Sequence, residues 1–187
     1  GMIIEKVTGA DYGAFIQERI FTPLAMSTAG MNDPAARAPE RARGYVLVEG
    51  QPRLSPSVDP SQPFAAGALA ASVLDLARWE TALAGETLLE REVLDLMWSP
   101  TALPDGSIRP YGYGWELSEY RGRRRIAHGG GIRGFSTQVT RFPDDGLAVI
   151  VLTNQQGGAA ELLANGVASI FIPELRAAAP RPLADGA

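Results

Sequence analysis

Residues 124–154, RRIAHGGGIRGFSTQVTRFPDDGLAVIVLTN, decide how this chain folds. Arg124–His128, Phe135–Phe142 and Leu147–Asn154 each read as a strand, and the punctuation between them is short. Asp144-Asp145-Gly146 is a turn, and the apolar run Leu-Ala-Val-Ile-Val-Leu suits a strand covered on both faces. Glycines 129, 131 and 134 match a G-x-G-x-x-G fingerprint. That motif needs a following helix to receive a pyrophosphate, and Phe135–Phe142 is a strand closed by Pro143, so the dinucleotide reading fails on context.

Working outward, Gly112–Tyr120 reads as a further strand, joined to the next by a turn at Arg121-Gly122. Downstream, Gly157-Gly158 leads into a closing helix, Ala159–Ile172. Its Leu163, Val167, Ile170 and Phe171 fall on one side, which predicts that this side lies over the sheet. Upstream the character is helical. Ile3–Thr8 reads as a helix stopped at Gly9 and lacking a capped start. Asp11 caps a helix through about Ile20, with Tyr12, Phe15, Ile16 and Ile20 near one face, ended by Pro23. Residues 27–67 form a long excursion with weak strand signals at Gly44–Val48 and around Arg53. Ser72-Val73-Leu74-Asp75 is a capping-box pattern opening a helix to Ala84, with an apolar stripe of Val73, Leu76, Trp79 and Leu83. A further helix spans Glu90–Trp98. The expected class is therefore α+β, with helices followed by an antiparallel sheet of about three to four strands and a covering helix. One domain is expected over 1–172, helical over about 2–100 and sheet with closing helix over about 111–172. Residues 173–187 are expected to be a flexible Ala/Pro-rich tail.

Composition narrows the function. The 187 residues carry a net charge of -4, with 45% apolar and 20% charged residues, and no apolar run near bilayer length. This argues against nucleic-acid and membrane partners. The one cationic cluster, Arg121–Arg125, reads as a solvated hairpin edge. Cysteine is absent and His128 is the sole histidine, so thiol chemistry, disulfides and multi-histidine metal sites are excluded; no metal and no cofactor is expected. No apolar h-region opens the chain, and Gly1 ahead of Met2 reads as a residue left by protease cleavage, so the compartment stays open.

The candidate chemistry lies at His128-Gly129-Gly130-Gly131. Glycine within a strand weakens it unless another backbone or a ligand approaches closely. Such a strip could offer backbone N–H groups to an acyl oxygen, a contact that contributes about 2.7–4 kcal/mol in acyl transfer. A flexible glycine loop with an ordinary turn histidine accounts for the same residues equally well.

Four blocks, in order, carry a family resemblance. They are Glu18-Arg19-Ile20-Phe21-Thr22-Pro23-Leu24-Ala25-Met26; Ala65-Ala66-Gly67 with Asp75-Leu76-Ala77-Arg78-Trp79; Tyr113-Gly114-Trp115; and His128-Gly129-Gly130 with Gly134-Phe135 and Leu152-Thr153-Asn154. Over about residues 2–172 the chain resembles the carboxy-terminal half of the class C β-lactamase, DD-peptidase and esterase superfamily, the penicillin-recognising serine hydrolases. The resemblance implies the serine β-lactamase-like fold, often in periplasmic or secreted proteins. It makes His128 and Gly131 the catalytic candidates, Gly131 as backbone donor to the oxyanion, and Gly129 and Gly130 the substrate-binding candidates. By the same resemblance, His128 stands where many members carry the lysine of Lys-Thr-Gly. An ordinary imidazole is mostly neutral at pH 7, so a peptidase or esterase is expected rather than an enzyme for carboxylate-bearing penicillins.

The family also uses Ser-x-x-Lys and Tyr-x-Asn. Lys6 is the only lysine and Ile3 precedes it by three; none of Tyr12, Tyr45, Tyr111, Tyr113 and Tyr120 is followed by asparagine two residues on. Ser72 reads as a helix cap and Ser136 as a surface strand position, neither with a base to activate it. The expectation is a fragment inactive alone, the alternatives being a non-catalytic binding module or half of a split hydrolase. Lacking the family's amino-terminal strands and helix, it is expected to expose a sheet edge and apolar surface. It should then form a homodimer, or associate with an amino-terminal half.

Overall fold

The computed structural model describes residues 1–32 and 41–176. The chain runs α1 (Met2–Thr8), α2 (Tyr12–Ile16, extended by a π-helical turn over Gln17–Phe21), β1 (Gly30–Met31), β2 (Tyr45–Val48), β3 (Gln51–Leu54), β4 (Leu69–Ala70), α3 (Val73–Ala84), α4 (Arg91–Met97), β5 (Thr101–Ala102), β6 (Ile108–Arg109), β7 (Glu116–Tyr120), β8 (Arg123–Ile132), β9 (Phe135–Phe142), β10 (Leu147–Thr153) and α5 (Ala160–Phe171). The expected α+β class is found. The central sheet is an antiparallel meander in the order β10-β9-β8-β7. No described helix is long and apolar enough to cross a membrane.

Strand alternation sends successive side chains to opposite faces, and each face has its own core. On one, Phe142 and Val149 pack with Ala164, Ala168, Ile172 and Leu175 of the closing segment. On the other, Ile126 packs with Leu83 of α3, Leu94 of α4, Trp98 and Trp115. A third cluster, Tyr12, Ile16, Phe21 and Met26, ties α2 to Trp79.

Several expectations need correction. α5 lies on the sheet, but through Ala160, Ala164, Asn165 and Ala168. Small residues let the helix approach closely over Phe142, so the large residues turn outward: Leu162, Leu163, Val167, Ile170 and Phe171 are 39–72% exposed. β10 is an outer strand. Even so, it meets α5 on the face where Val149 is buried and α3 on the face of the part-buried Ile150, so the expected cover on both faces is found, with Leu152 left exposed towards the strand end. Packing continues past residue 172, because Pro173–Leu175 form a 3-10 turn that buries Leu175; residues 177–187 of the expected tail lie outside the described residues. Of the arginine cluster, Arg125 is buried and pairs with Glu161 at 2.6 Å, and Arg123 bridges Asp145 and Glu174.

The helix opening at Ser72 is half a capping box. Ser72 Oγ accepts the Asp75 N–H, but the Asp75 carboxylate turns away and accepts from the N–H and hydroxyl of Thr28, and from Arg78 at 3.1 Å. Asp75 is consequently buried, while Val73, expected in the apolar stripe, is exposed. Next to the stripe's Trp79, Glu80 is also buried, 2.8 Å from Arg141 of β9.

Candidate functional site

β8 is longer than its sequence signal. The glycines do not end the strand at His128; they carry the ladder with β9 on to Ile132↔Phe135. On its other side β8 pairs with β7 only from Arg123↔Tyr120 to Ala127↔Glu116. Beyond Ala127 the edge from His128 to Ile132 has no strand beside it among the described residues, so backbone groups directed to that side have no ladder partner there. β7 cannot accompany it because the preceding chain turns sharply. Gly112 N–H donates to the Trp115 carbonyl, Tyr113 N–H to the Met97 carbonyl, and Gly114 sits at φ 80°. The expected strand from Gly112 therefore starts only at Glu116.

The three glycines have different reasons. A Cβ at Gly130 would stand 2.5 Å from Thr137 Oγ1, and one at Gly129 3.0 Å from Gln138 Oε1, both across the ladder. Packing within the sheet accounts for those two. Gly131 meets nothing within 4 Å, so its bare position leaves room for an approaching molecule. At the end of the strip, Gly134 adopts φ +82° and faces Gly44, with a built Cβ only 2.6 Å from the Gly44 Cα. Tyr45 N–H donates to the Gly134 and Asn154 carbonyls at 3.2 and 2.9 Å, clamping the β2–β3 hairpin to this end of the sheet.

His128 is exposed, on the alternate face from Gly129 and Gly131. Its ring is met by Tyr111, whose hydroxyl lies 3.0 Å from Nε2, with the two rings edge to face. Tyr111 carries no signal in a search for Tyr-x-Asn. What could have marked it is the Y-G-Y-G-W run, whose glycines enforce a tight turn beside the histidine strand.

Of the serines singled out in the sequence, neither has a base beside its hydroxyl. Ser136 is half-buried rather than a surface position, and its Oγ donates to the Gly158 carbonyl at 2.9 Å; Ser72 Oγ is occupied as a cap. Among the described residues no three His, Asp or Glu side chains converge on a metal position. A cleft of about 440 Å³ opens on the α5 side of the strip, between Gly129, Gln138 and the first turn of α5.

The comparisons with known proteins agree with this geometry. A family profile described as Beta-lactamase matches residues 1–169. The chain is 31% identical to the unguisins hydrolase ungD' of Aspergillus campestris over 163 residues, covering 81% of this chain and 30% of that protein. It is 28% identical to a D-aminopeptidase of Brucella canis over 166 residues, covering 85% of this chain and 30% of that protein. Among solved structures, an octameric penicillin-binding protein homologue from Pyrococcus abyssi superposes with TM-score 0.79 at 26% identity, covering 92% of this chain and 40% of that one. The chain thus spans about a third or less of the length of these curated relatives. Its strand edge, its two-faced sheet and its matched residues put it in the Beta-lactamase family of serine hydrolases, corresponding to one part of such a protein.

Proposed function

We propose that this chain supplies the substrate-binding strand edge of a serine acyl hydrolase acting on amides or esters of D-amino acids, and that alone it does not acylate. The observation that carries the reading is the bare β8 edge at His128–Ile132, with open space at Gly131. Backbone N–H groups on such an edge can hold an acyl oxygen as charge develops on it. The D-aminopeptidase relative supports the substrate class, and the histidine at position 128 suits a substrate without a penicillin-type carboxylate. The chemistry also needs an activated nucleophile, and Ser72 and Ser136 are engaged in a helix cap and a bond to the Gly158 carbonyl.

The test is an activated D-amino-acid ester or a fluorescent penicillin followed by intact-mass measurement. The expected result is no covalent adduct on the 187-residue chain, and an adduct on a serine of an added segment bearing Ser-x-x-Lys and Tyr-x-Asn. An acylated serine within this chain would overturn the reading.

A second observation concerns assembly. The outward apolar residues of α5, beside the outer strand β10, make a surface of the kind that covers itself on association. We infer a homodimer through this face, or its burial by an amino-terminal half when one is supplied. Ile170→Glu is expected to shift the chain from dimer to monomer at micromolar concentration in light-scattering sizing. A wild-type chain that is already monomeric there would count against the dimer.

A further inference from the structure

We infer that Tyr111 is a positioning residue for His128, fixing its neutral ring in the tautomer with the proton on Nδ1. This deepens the strand-edge reading above and rests on it for its functional meaning. The placement of Tyr111 comes from backbone geometry rather than burial. Its N–H donates to the Arg109 carbonyl at 2.8 Å, its own carbonyl accepts the Thr101 hydroxyl at 2.7 Å, and it forms a β-bridge with Glu116. The next residue, Gly112, passes so close to the Met97 carbonyl that any Cβ there would overlap it, which keeps the turn against the end of α4. From this braced position the phenol reaches Nε2 at 3.0 Å.

The direction of that hydrogen bond follows from the two groups. Imidazole nitrogen is a strong acceptor, and a phenol is a better donor than acceptor. The Tyr111 O–H therefore donates to Nε2, and the ring proton must reside on Nδ1. Among the described residues Nδ1 makes no hydrogen bond, so Nδ1–H is the donor the ring has left to offer. At the start of a bare strand edge, Nδ1–H then offers a hydrogen bond to an acyl carbonyl oxygen. With Nε2 occupied, His128 is not poised as a base.

The chain has one histidine, so its two ring nitrogens give a single, unambiguous set of ¹⁵N resonances. Long-range ¹H–¹⁵N spectra of the neutral ring are expected to show Nδ1 protonated and Nε2 unprotonated in the wild-type chain. In Tyr111→Phe the two nitrogens are expected to exchange roles, towards the Nε2–H form that predominates for free histidine. Tyr111 is partly exposed and phenylalanine keeps its ring, so the variant should fold; unchanged backbone amide spectra away from the edge verify this. Nε2–H in the wild type, or Nδ1–H persisting in Tyr111→Phe, would overturn the inference. Adding a D-amino-acid amide tests the underlying reading separately. Shifts at the Gly129–Ile132 amides support it, and their absence would overturn that reading without altering the tautomer result.

Discussion

Alanine at Glu80 is expected to lower stability by about 3–5 kcal/mol in urea unfolding at neutral pH, because it leaves Arg141 charged, buried and unpaired. The double variant Glu80→Met with Arg141→Met is expected to be no less stable than wild type. The reason lies in how poorly the pair is compensated. Glu80 and Arg141 stand 2.8 Å apart in the α3–β9 packing with Arg141 stacked 4.4 Å over the Trp98 ring, yet both carboxylate oxygens and Arg141 Nη1 lack an aligned hydrogen-bond partner. Burial pushes the Glu80 carboxyl above the ordinary carboxylate range, with Arg141 offsetting part of that. Burial also pulls the Arg141 guanidinium down, against Glu80 and with help from Arg91. Both directions say that desolvation outweighs attraction, which is the condition under which apolar replacement of the whole pair is tolerated.

The same helix carries opposite pH slopes. The folded pKa of Glu80 is the raised one, so its contribution is fully present below about 4.3 and is lost as pH climbs through the folded value. Asp75 behaves inversely. Burial pushes it up, but the Thr28 hydroxyl and N–H, Ser72 and Arg78 together hold it below its ordinary value. Its contribution is present above about 3.9 and lost as pH falls. In unfolding measured across pH, Asp75→Asn is expected to flatten the acid limb, and Glu80→Gln the decline on the other side.

What the sequence made legible, and what it hid, follows from which residue types carry a signal. Ser72 and Gly85 bracket α3 where expected, and Phe135–Phe142 is read without error because alternation and Pro143 leave no choice. α5 misleads because periodicity reports that a helix has an apolar side, not which side meets the sheet. Alanines 160, 164 and 168 give a weak hydrophobic signal yet are the apolar residues that the helix buries. β8 is under-read because glycine is depleted from strands, so a ladder whose glycines are required by Thr137 and by close approach looks like a loop. Arg125 and Asp75 look like surface residues until Glu161 and Thr28, far off in sequence, arrive as partners. At the candidate site, His128 and Gly131 are visible as residue types. Tyr111 is not, because its contact with His128 depends on a turn whose geometry is set by the Met97 carbonyl.

Alanine at Gly134 is expected to cost about 2–5 kcal/mol and to loosen the far end of the strand edge. About 1–3 kcal/mol comes from placing a side chain at a left-handed φ of +82°. A comparable amount comes from overpacking, since the new methyl meets the backbone of Gly44 and the Cβ of Ser55, neither able to swing aside as a flexible side chain would. The β2–β3 hairpin depends on this contact. Tyr45 N–H is shared between Gly134 and Asn154, Gln156 N–H donates to the Tyr45 carbonyl at 2.8 Å, and Asn154 Nδ2 donates to the Arg43 carbonyl at 3.0 Å. Gly50, at the tip of the same hairpin, gives the control: its φ is +75° but a Cβ there meets nothing within 4 Å. Gly50→Ala carries the conformational cost without the clash. Faster amide exchange at Tyr45, Gln156 and Gly129–Ile132 is therefore expected for Gly134→Ala and not for Gly50→Ala. Equal exchange in the two variants would mean that the Gly44–Gly134 approach does not hold the hairpin, and that the edge keeps its shape without it.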